Sequence, residues 1–458
     1  MKIVIIGNGK VGFTLAQALS QEGHDLTVVD NQRIALSLAE EKLDVMVMEG
    51  NGASAAVQRE AGVAQSDLLI AVTDADETNL LCCMVARKLG CKHTIARIRN
   101  SEYQEAQYLL RDELGLSMMV NPEKVAAREI FSLLKFPSVV KRETFFKGRA
   151  EIVAIPVHPG GKLDGMPLLQ LYKSLKVRVL ICAVEREKEV IVPDGSFVLR
   201  GDDNLYVTAP AKDLVSLIKV LEMEKARIRS VMLVGGSRIA VHLTKLLCDA
   251  GIQVKILEND QNKCEQLSVI LPEEALICHS DGTSFQTLLN EGLEEVGALV
   301  TLTNIDEQNL VISMYASHMQ VPKVITKINR LDYDNFVHDS EVESTVSPRM
   351  LVCNNILRYV RSMQNRQGNS MLALHRMLGG RVEALEFRVT HDTWYIGKSL
   401  IDAPIQKGIL VAAISRRGQV IIPSGLDCLK ENDSVVIVTG SGHALKDLND
   451  IFSEPSRE

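Results

Sequence analysis

Three glycines at a fixed spacing carry the clearest chemistry in this chain of 458 residues. They lie in Gly7-Asn8-Gly9-Lys10-Val11-Gly12, after the apolar run Ile3 to Ile6 and before a helical pattern. Gly7 permits a tight turn, Gly9 lets the backbone approach a pyrophosphate, and Gly12 allows a helix to pack closely on a strand. The helix N-terminus that follows offers amides and a partial positive charge to phosphate. Asp30, with Asn31 beside it, ends the next apolar run eighteen residues after Gly12. Its carboxylate would accept hydrogen bonds from a ribose 2′-hydroxyl and repel a 2′-phosphate. NAD(H) is therefore expected over NADP(H), with ATP and ADP, which carry the same hydroxyl, left open.

Two further segments belong at the same edge of a sheet. Thr73, Asp74 and Glu77 follow a strand and precede a helix. Asp74 with Glu77 three residues on has the form of a capping box, and the same loop can also face a nucleotide. Arg97 and Arg99 alternate along a strand and so emerge on one face, as phosphate ligands or as a solvated or interface pair.

All of this occurs twice, at an offset of 228 to 232 residues. Ile3 to Gly12 returns as Val231 to Ala240, Asp30 as Glu258, Thr73 to Leu80 as Thr303 to Leu310, and Ile95 to Arg99 as Ile325 to Asn329. A repeat this long is a whole folding unit rather than a solenoid module. In the second copy Gly235, Gly236 and Glu258 remain as binding candidates, but Ser237 replaces Gly9 and Ala240 replaces Gly12. Alanine is an accepted third member, whereas a serine Cβ crowds the pyrophosphate. The second site is thus weaker, altered in ligand preference, or empty.

The elements that must position these residues follow from hydrophobic patterning. Short aliphatic strands alternate with amphipathic helices, which implies a parallel sheet covered on both faces. The expected fold is α/β: two tandem Rossmann-like, doubly wound parallel-sheet domains, each followed by a small α+β lobe. The boundaries are 1–121 and 229–347 for the large domains, 122–148 and 348–381 for crossover helices with linkers, and 149–221 and 382–453 for the lobes. Linkers are expected near 140–148, 222–230 and 362–382. The helix over 122–134 carries the apolar face Val125, Ile130, Phe131 and Leu134, continued by Phe136. It either packs against another copy or covers its own domain.

Composition narrows the function. With 46% hydrophobic and 24% charged residues and a net charge of −7, the chain has the character of an ordinary globular protein with no general attraction to nucleic acid. No apolar run approaches a membrane span and no signal peptide is evident, so a cytoplasmic location is expected. Nine cysteines without a C-x-x-C pair point to reduced structural thiols, and no metal site is visible. An NAD-dependent oxidoreductase is the rival reading, yet no proton donor or substrate domain is identifiable. A DNA regulator would need a basic recognition helix that is not apparent.

In this order, over nearly the whole chain, these residues resemble the TrkA family, the peripheral cytoplasmic subunits of Trk-type bacterial potassium uptake systems. Such subunits hold two tandem nucleotide-binding regulator-of-potassium-conductance (RCK) domains. The resemblance rests on Gly7 to Gly12, Asp30, the Thr73 to Leu80 loop, Ala96 to Arg99 and the second-half equivalents. It implies no catalysis, binding of NAD(H) or of ATP and ADP, and Arg97 and Arg99 on nucleotide phosphates. It further implies docking at the inner face of the membrane beneath an integral-membrane potassium-translocating subunit. A homo-oligomer is implied as well, a tetramer with a ring of eight RCK units that nucleotide shifts between two arrangements by differential affinity. Lys327 and Asn329 depart from the family pattern in the second copy.

Overall fold

Runs of Val, Ile and Leu without polar alternation form strands buried on both faces, and a helix-covered parallel sheet is what they build. A computed structural model of the chain describes residues 1–100, 103, 115–135, 141–146, 149–174, 179–187, 189–210, 213, 217, 228–329, 344–365, 371–377, 382–440, 445 and 447–453. In the first half β1 (Lys2–Ile6), β2 (Asp25–Asp30), β3 (Met46–Glu49), β4 (Leu68–Ala71), β5 (His93–Arg97) and β6 (Met118–Val120) form one parallel sheet. Their order is β3-β2-β1-β4-β5-β6, so strand order reverses between β1 and β4 and a crevice opens there at the carboxyl ends.

The first small lobe is an antiparallel sheet of β7 (Lys141–Phe145), β8 (Ala150–Pro156), β9 (Leu180–Arg186), β10 (Glu189–Ile191) and β11 (Asn204–Pro210), ordered β10-β9-β11-β8-β7. The second half repeats the large sheet with β12 (Ser230–Val234), β13 (Gln253–Glu258), β14 (Ala275–His279), β15 (Ala298–Thr301), β16 (Val324–Lys327) and β17 (Ser344–Val346), ordered β14-β13-β12-β15-β16-β17. The second lobe holds β18 (Met371–Met377), β19 (Val382–Arg388), β20 (Ile409–Arg416), β21 (Gln419–Ile421) and β22 (Ser434–Gly440).

Several elements differ from expectation. The edge strands β6 and β17 are only three residues long and carry little pattern. β7 and β18 occupy stretches expected as linker; each pairs along its neighbouring strand at the edge of its lobe. The helix expected from Asn79 begins at Asp76. Residues 140, 147–148, 222–227, 366–370 and 378–381 of the expected linkers, and 176–178 of an expected strand, lie outside the described residues.

The charged turn before the last strand of each lobe has a structural purpose. Asp202 and Asn432 adopt the left-handed conformation at φ 69°. Each turn delivers a nearly fully buried aspartate to an arginine on the adjacent strand of the sheet: Arg186 grips Asp203 with two bonds of 2.7 Å, and Arg416 grips Asp433 with bonds of 2.9 and 2.8 Å. Bidentate pairing and bonds from the turn amides of Arg200 and Lys430 satisfy the buried carboxylates.

The halves are locked together by exchange of their crossover helices. Helix Pro122–Lys135 leaves the first half and buries Ala126, Ala127, Ile130, Leu133 and Leu134 in the core of the second, among Ile228, Val231, Leu243 and Val254. Helix Pro348–Asn365 does the converse, placing Val352, Cys353, Ile356, Leu357 and Val360 among Ile3, Ile5, Leu15 and Leu26. Polar contacts secure the second exchange: Arg361 donates through Nε to Glu22 at 3.1 Å and also through Nη2, and Tyr359 Oη meets His93 Nδ1 at 3.2 Å. Each helix therefore packs on the other copy, within one chain. The two lobes also meet sheet to sheet, joining Ile152, Ala154 and Tyr206 to Ala384, Ala413 and Val436 in one core.

Ile356 is fully buried in the first-half core although it belongs to the second crossover helix. Ile356→Ala should lower unfolding stability by about 3 kcal/mol. In hydrogen exchange the lost protection should appear in Ile3 to Ile6 rather than in Val231 to Val234. Loss confined to the second-half sheet would contradict the exchange.

Candidate functional site

The first glycine loop has the geometry its residues predict. Gly7 stands at φ +96°, and a Cβ on Gly12 would lie 1.8 Å from the Gly7 carbonyl oxygen, so only glycine lets the helix approach this closely. A Cβ on Gly9 would meet nothing within 4 Å, which leaves open space in front of the helix N-terminus. Asp30 accepts hydrogen bonds from the amides of Asn8 at 2.6 Å and Gln32 at 2.9 Å, tying the end of β2 to the loop. Asn8 is buried and donates its side chain to the Ala35 carbonyl at 2.6 Å, while Asn31 is exposed.

The loop after β4 is organised by a residue that sequence reasoning did not single out. Asn79 is fully buried, and all four of its hydrogen-bonding positions are used. Its Nδ2 donates to the carbonyls of Thr73 and Arg97 at 3.1 and 2.9 Å, and its Oδ1 accepts from Thr73 N and Oγ1, both at 2.8 Å. Asn309 repeats the arrangement with Thr303 and Lys327. Asp76 adds a second tie, accepting from the amides of Arg99 and Asn100 at 2.7 Å, as Asp306 does from Asn329 at 2.8 Å. The visible signal was the recurrence of Asp-Glu-x-Asn in both halves.

The expected capping box does not form. The helix begins one residue later than that pattern requires, with Ala75 as N-cap and no side-chain cap. Asp74 instead pairs with Arg97 at 3.1 Å. Glu77 is exposed and accepts from Tyr103 Oη at 2.7 Å, a bond that lowers its carboxyl pKa. In the second half Ile305 takes the N-cap position, again without a side-chain cap.

Arg97 and Arg99 do share a face, although β5 ends at Arg97. Arg97 is buried and donates to the Thr73 carbonyl and to Asp74; Arg99 donates to Glu123 at 2.9 Å in the first turn of the crossover helix. Both line a cavity of about 1270 Å³ that lies between the two halves, bounded by the glycine loops of each. Helix exchange thus turns the carboxyl edges of the two sheets toward each other. Gly9, Lys10, Val11 and Asp74 line it from the first half, and Gly235, Gly236, Ser237 and Glu258 from the second. Gly7, Asn8, Gly12, Asp30, Asn31, Thr73 and Glu77 are not among its lining residues.

Electrostatically the cavity favours anions. Seven basic side chains line it, Lys10, Arg97, Arg99, Arg238, Lys263, Lys327 and Arg349, against the four acids Asp74, Glu123, Glu258 and Asp281. No histidine, tyrosine or cysteine is among the described lining residues. Glu258 is engaged internally: it accepts from Lys263 Nζ at 2.6 Å and from the amides of Gly236 at 2.8 Å and Asp260 at 3.1 Å. Burial alone would raise its carboxyl pKa, but Lys263 and these amides outweigh that and lower it. Among the cysteines, Cys82 and Cys83 are buried, and burial pushes the Cys82 thiol up to about 12. Among the described residues no group of three or more His, Cys, Asp or Glu could hold a metal ion.

Comparison with known proteins follows the same division. A family model described as the TrkA-N domain matches residues 3–122 and again 231–348, and one described as the TrkA-C domain matches 152–221 and 384–453. The Trk system potassium uptake protein TrkA homolog 1 of Methanosarcina mazei is 32% identical over 445 residues, covering 95% of this chain and 97% of that protein. TrkA of Halomonas elongata is 31% identical over 458 residues, covering 99% of this chain and 98% of that protein. Among solved structures, the GsuK RCK domain aligns with a TM-score of 0.62 at 19% identity, over 96% of this chain and 92% of that one. The GsuK channel bound to NAD gives a TM-score of 0.62 at 18% identity, over 96% and 77%. At these identities the structural likeness concerns the fold alone.

Asn79→Ala removes the side chain that bonds Thr73 N and the Arg97 carbonyl, and leaves the Thr73 carbonyl with Arg97 Nη2. It should lower stability by about 3 kcal/mol, because each buried polar group left unpaired costs about 1–3 kcal/mol. Urea unfolding reads this as a shifted midpoint at unchanged slope. An unshifted midpoint would show that the tie carries no stability.

Proposed function

Because the chain belongs to the TrkA family, we propose that it is the nucleotide-responsive regulatory subunit of a potassium uptake system, with NAD(H) or an adenine nucleotide as effector. The observation that carries this reading is the cation-rich cavity at the first glycine loop, where Gly9 leaves open space before a helix N-terminus. In this reading Gly7, Asn8, Gly9, Lys10, Val11 and Gly12 cradle the phosphates, with Arg97 and Arg99 beside them and Asp30 toward the ribose. Thr73, Asp74 and Glu77 border the site. Among the described residues no lysine pairs with Asp30 as Lys263 does with Glu258, which favours a free 2′-hydroxyl over a 2′-phosphate. Two solved neighbours are described as bound to NAD and to ADP.

The role is regulatory rather than catalytic. The relatives' names, Trk system potassium uptake proteins, support that role. No described helix is long and apolar enough to cross a membrane, so the pore belongs to a separate membrane subunit in this reading. Assembly into a ring of RCK units is supported by one repeated feature. Leu81 and Met84 on helix Asp76–Leu89, and Val311 and Met314 on helix Asp306–His318, are exposed large apolar side chains at equivalent positions of both halves. Nucleotide would shift the ring by its differential affinity for two arrangements, about 1–3 kcal/mol per coupled site.

Asp30→Ala should weaken NADH binding by about tenfold, the value of one lost hydrogen bond to a charged group. Titration calorimetry on the folded variant checks this, and an affinity equal to wild type would remove Asp30 from the site.

A further inference from the structure

The second glycine loop differs from the first at positions that would face a dinucleotide. Three substitutions relative to the first half act together. Ser237 stands where Gly9 is absent of side chain, Lys327 replaces Arg97, and Asn304 replaces Asp74. In the first half Arg97 is held by the Asp74 carboxylate. In the second half that carboxylate is gone, and the Lys327 ammonium makes no hydrogen bond or ion pair with any described residue. Lys327 is only 5% exposed and lines the cavity. Burial lowers its pKa, opposed by the charge of Asp306; Lys10 and Lys263 lower it further, and Glu123 raises it. An ammonium facing a cavity from a largely buried side chain favours an anion beside it.

Ser237 points the same way. It occupies the N-cap of the twelve-residue helix Arg238–Asp249, where serine ordinarily bonds to the helix's own amides, but it makes no capping bond. Its Oγ is buried without a hydrogen-bond partner, and the residue lines the cavity with Lys327. Glu258, which would read a ribose, is engaged by Lys263 and two amides. The wall therefore offers an orphan hydroxyl, an unpaired ammonium and a helix N-terminus, while Glu258 already holds Lys263.

We propose that the second loop is a phosphate site that does not recognise ribose, in which Ser237 Oγ and Lys327 Nζ bind a phosphate group at the seam between the halves. The phosphate comes either from a free phosphate ion or from the phosphate chain of a nucleotide held in the first half, and the latter source rests on the function proposed above.

Calorimetric titration of the full chain with inorganic phosphate, at matched chloride ionic strength, tests the first source. Wild type should bind one phosphate per chain, and both Lys327→Met and Ser237→Ala should weaken it by about tenfold or more, as expected for bonds to a charged group. Titration with ATP and with adenosine tests the second. If phosphate alone does not bind, ATP affinity should fall by about tenfold in both variants while adenosine affinity stays unchanged. Either pattern supports the site. Phosphate binding that survives both substitutions, or no effect of either substitution on phosphate or ATP, overturns it. If no nucleotide binds at all, the first-half reading fails and the phosphate titration alone decides. Should Lys327→Met fail to fold, Ser237→Ala carries the test, since it removes only a hydroxyl.

Discussion

The apolar faces of the two crossover helices govern the architecture. Each helix buries its residues in the sheet of the other half, so neither Rossmann-like unit completes its core alone. Each half thereby supplies a part of the other's core. The sheet-to-sheet contact of the small lobes adds a second apolar seam. Between the two seams the carboxyl edges of the large sheets are held facing one another. The cavity there is a consequence of the exchange rather than a feature of either half.

Within that frame the buried asparagines set the precision of the site. Asn79 and Asn309 fix the loop after β4 and after β15 to the end of the neighbouring strand, and so determine where Arg97 and Lys327 stand. The same backbone then carries different chemistry in the two halves. In the first, Arg97 is paired with Asp74 and the glycine loop is open. In the second, the acidic strand end is paired with Lys263, while Lys327 lacks the pairing that Asp74 gives Arg97, because Asn304 stands there. Duplication has kept the scaffold and let the two sites diverge.

Much of this was legible in the sequence, for local reasons. Apolar runs at βα spacing identify buried parallel strands, and a glycine fingerprint between strand and helix marks the phosphate crevice. The family and the tandem fold follow from those patterns. What depends on non-local pairing was not legible. The apolar face of 122–134 showed that the helix packs on something, but not that its partner is the other half. β7 and β18 gain their strand character from neighbours across the sheet, so they resembled linker. Asp74 and Glu77 matched a capping pattern, yet competition from Arg97 and Tyr103 drew both carboxylates away. Asn79 recurs as Asn309 in the second copy, but its role as an organiser was not legible because its bonding partners are set by tertiary structure.

The central claim is that nucleotide bound to the first glycine loop is sensed by both halves through one shared cavity. Hydrogen exchange of the full chain with and without NADH tests it most directly. The account predicts increased protection at residues 5–12 and 28–31 together with residues 234–240 and 325–329 across the cavity. Unchanged protection at all four segments, or changes confined to the small lobes, would contradict it.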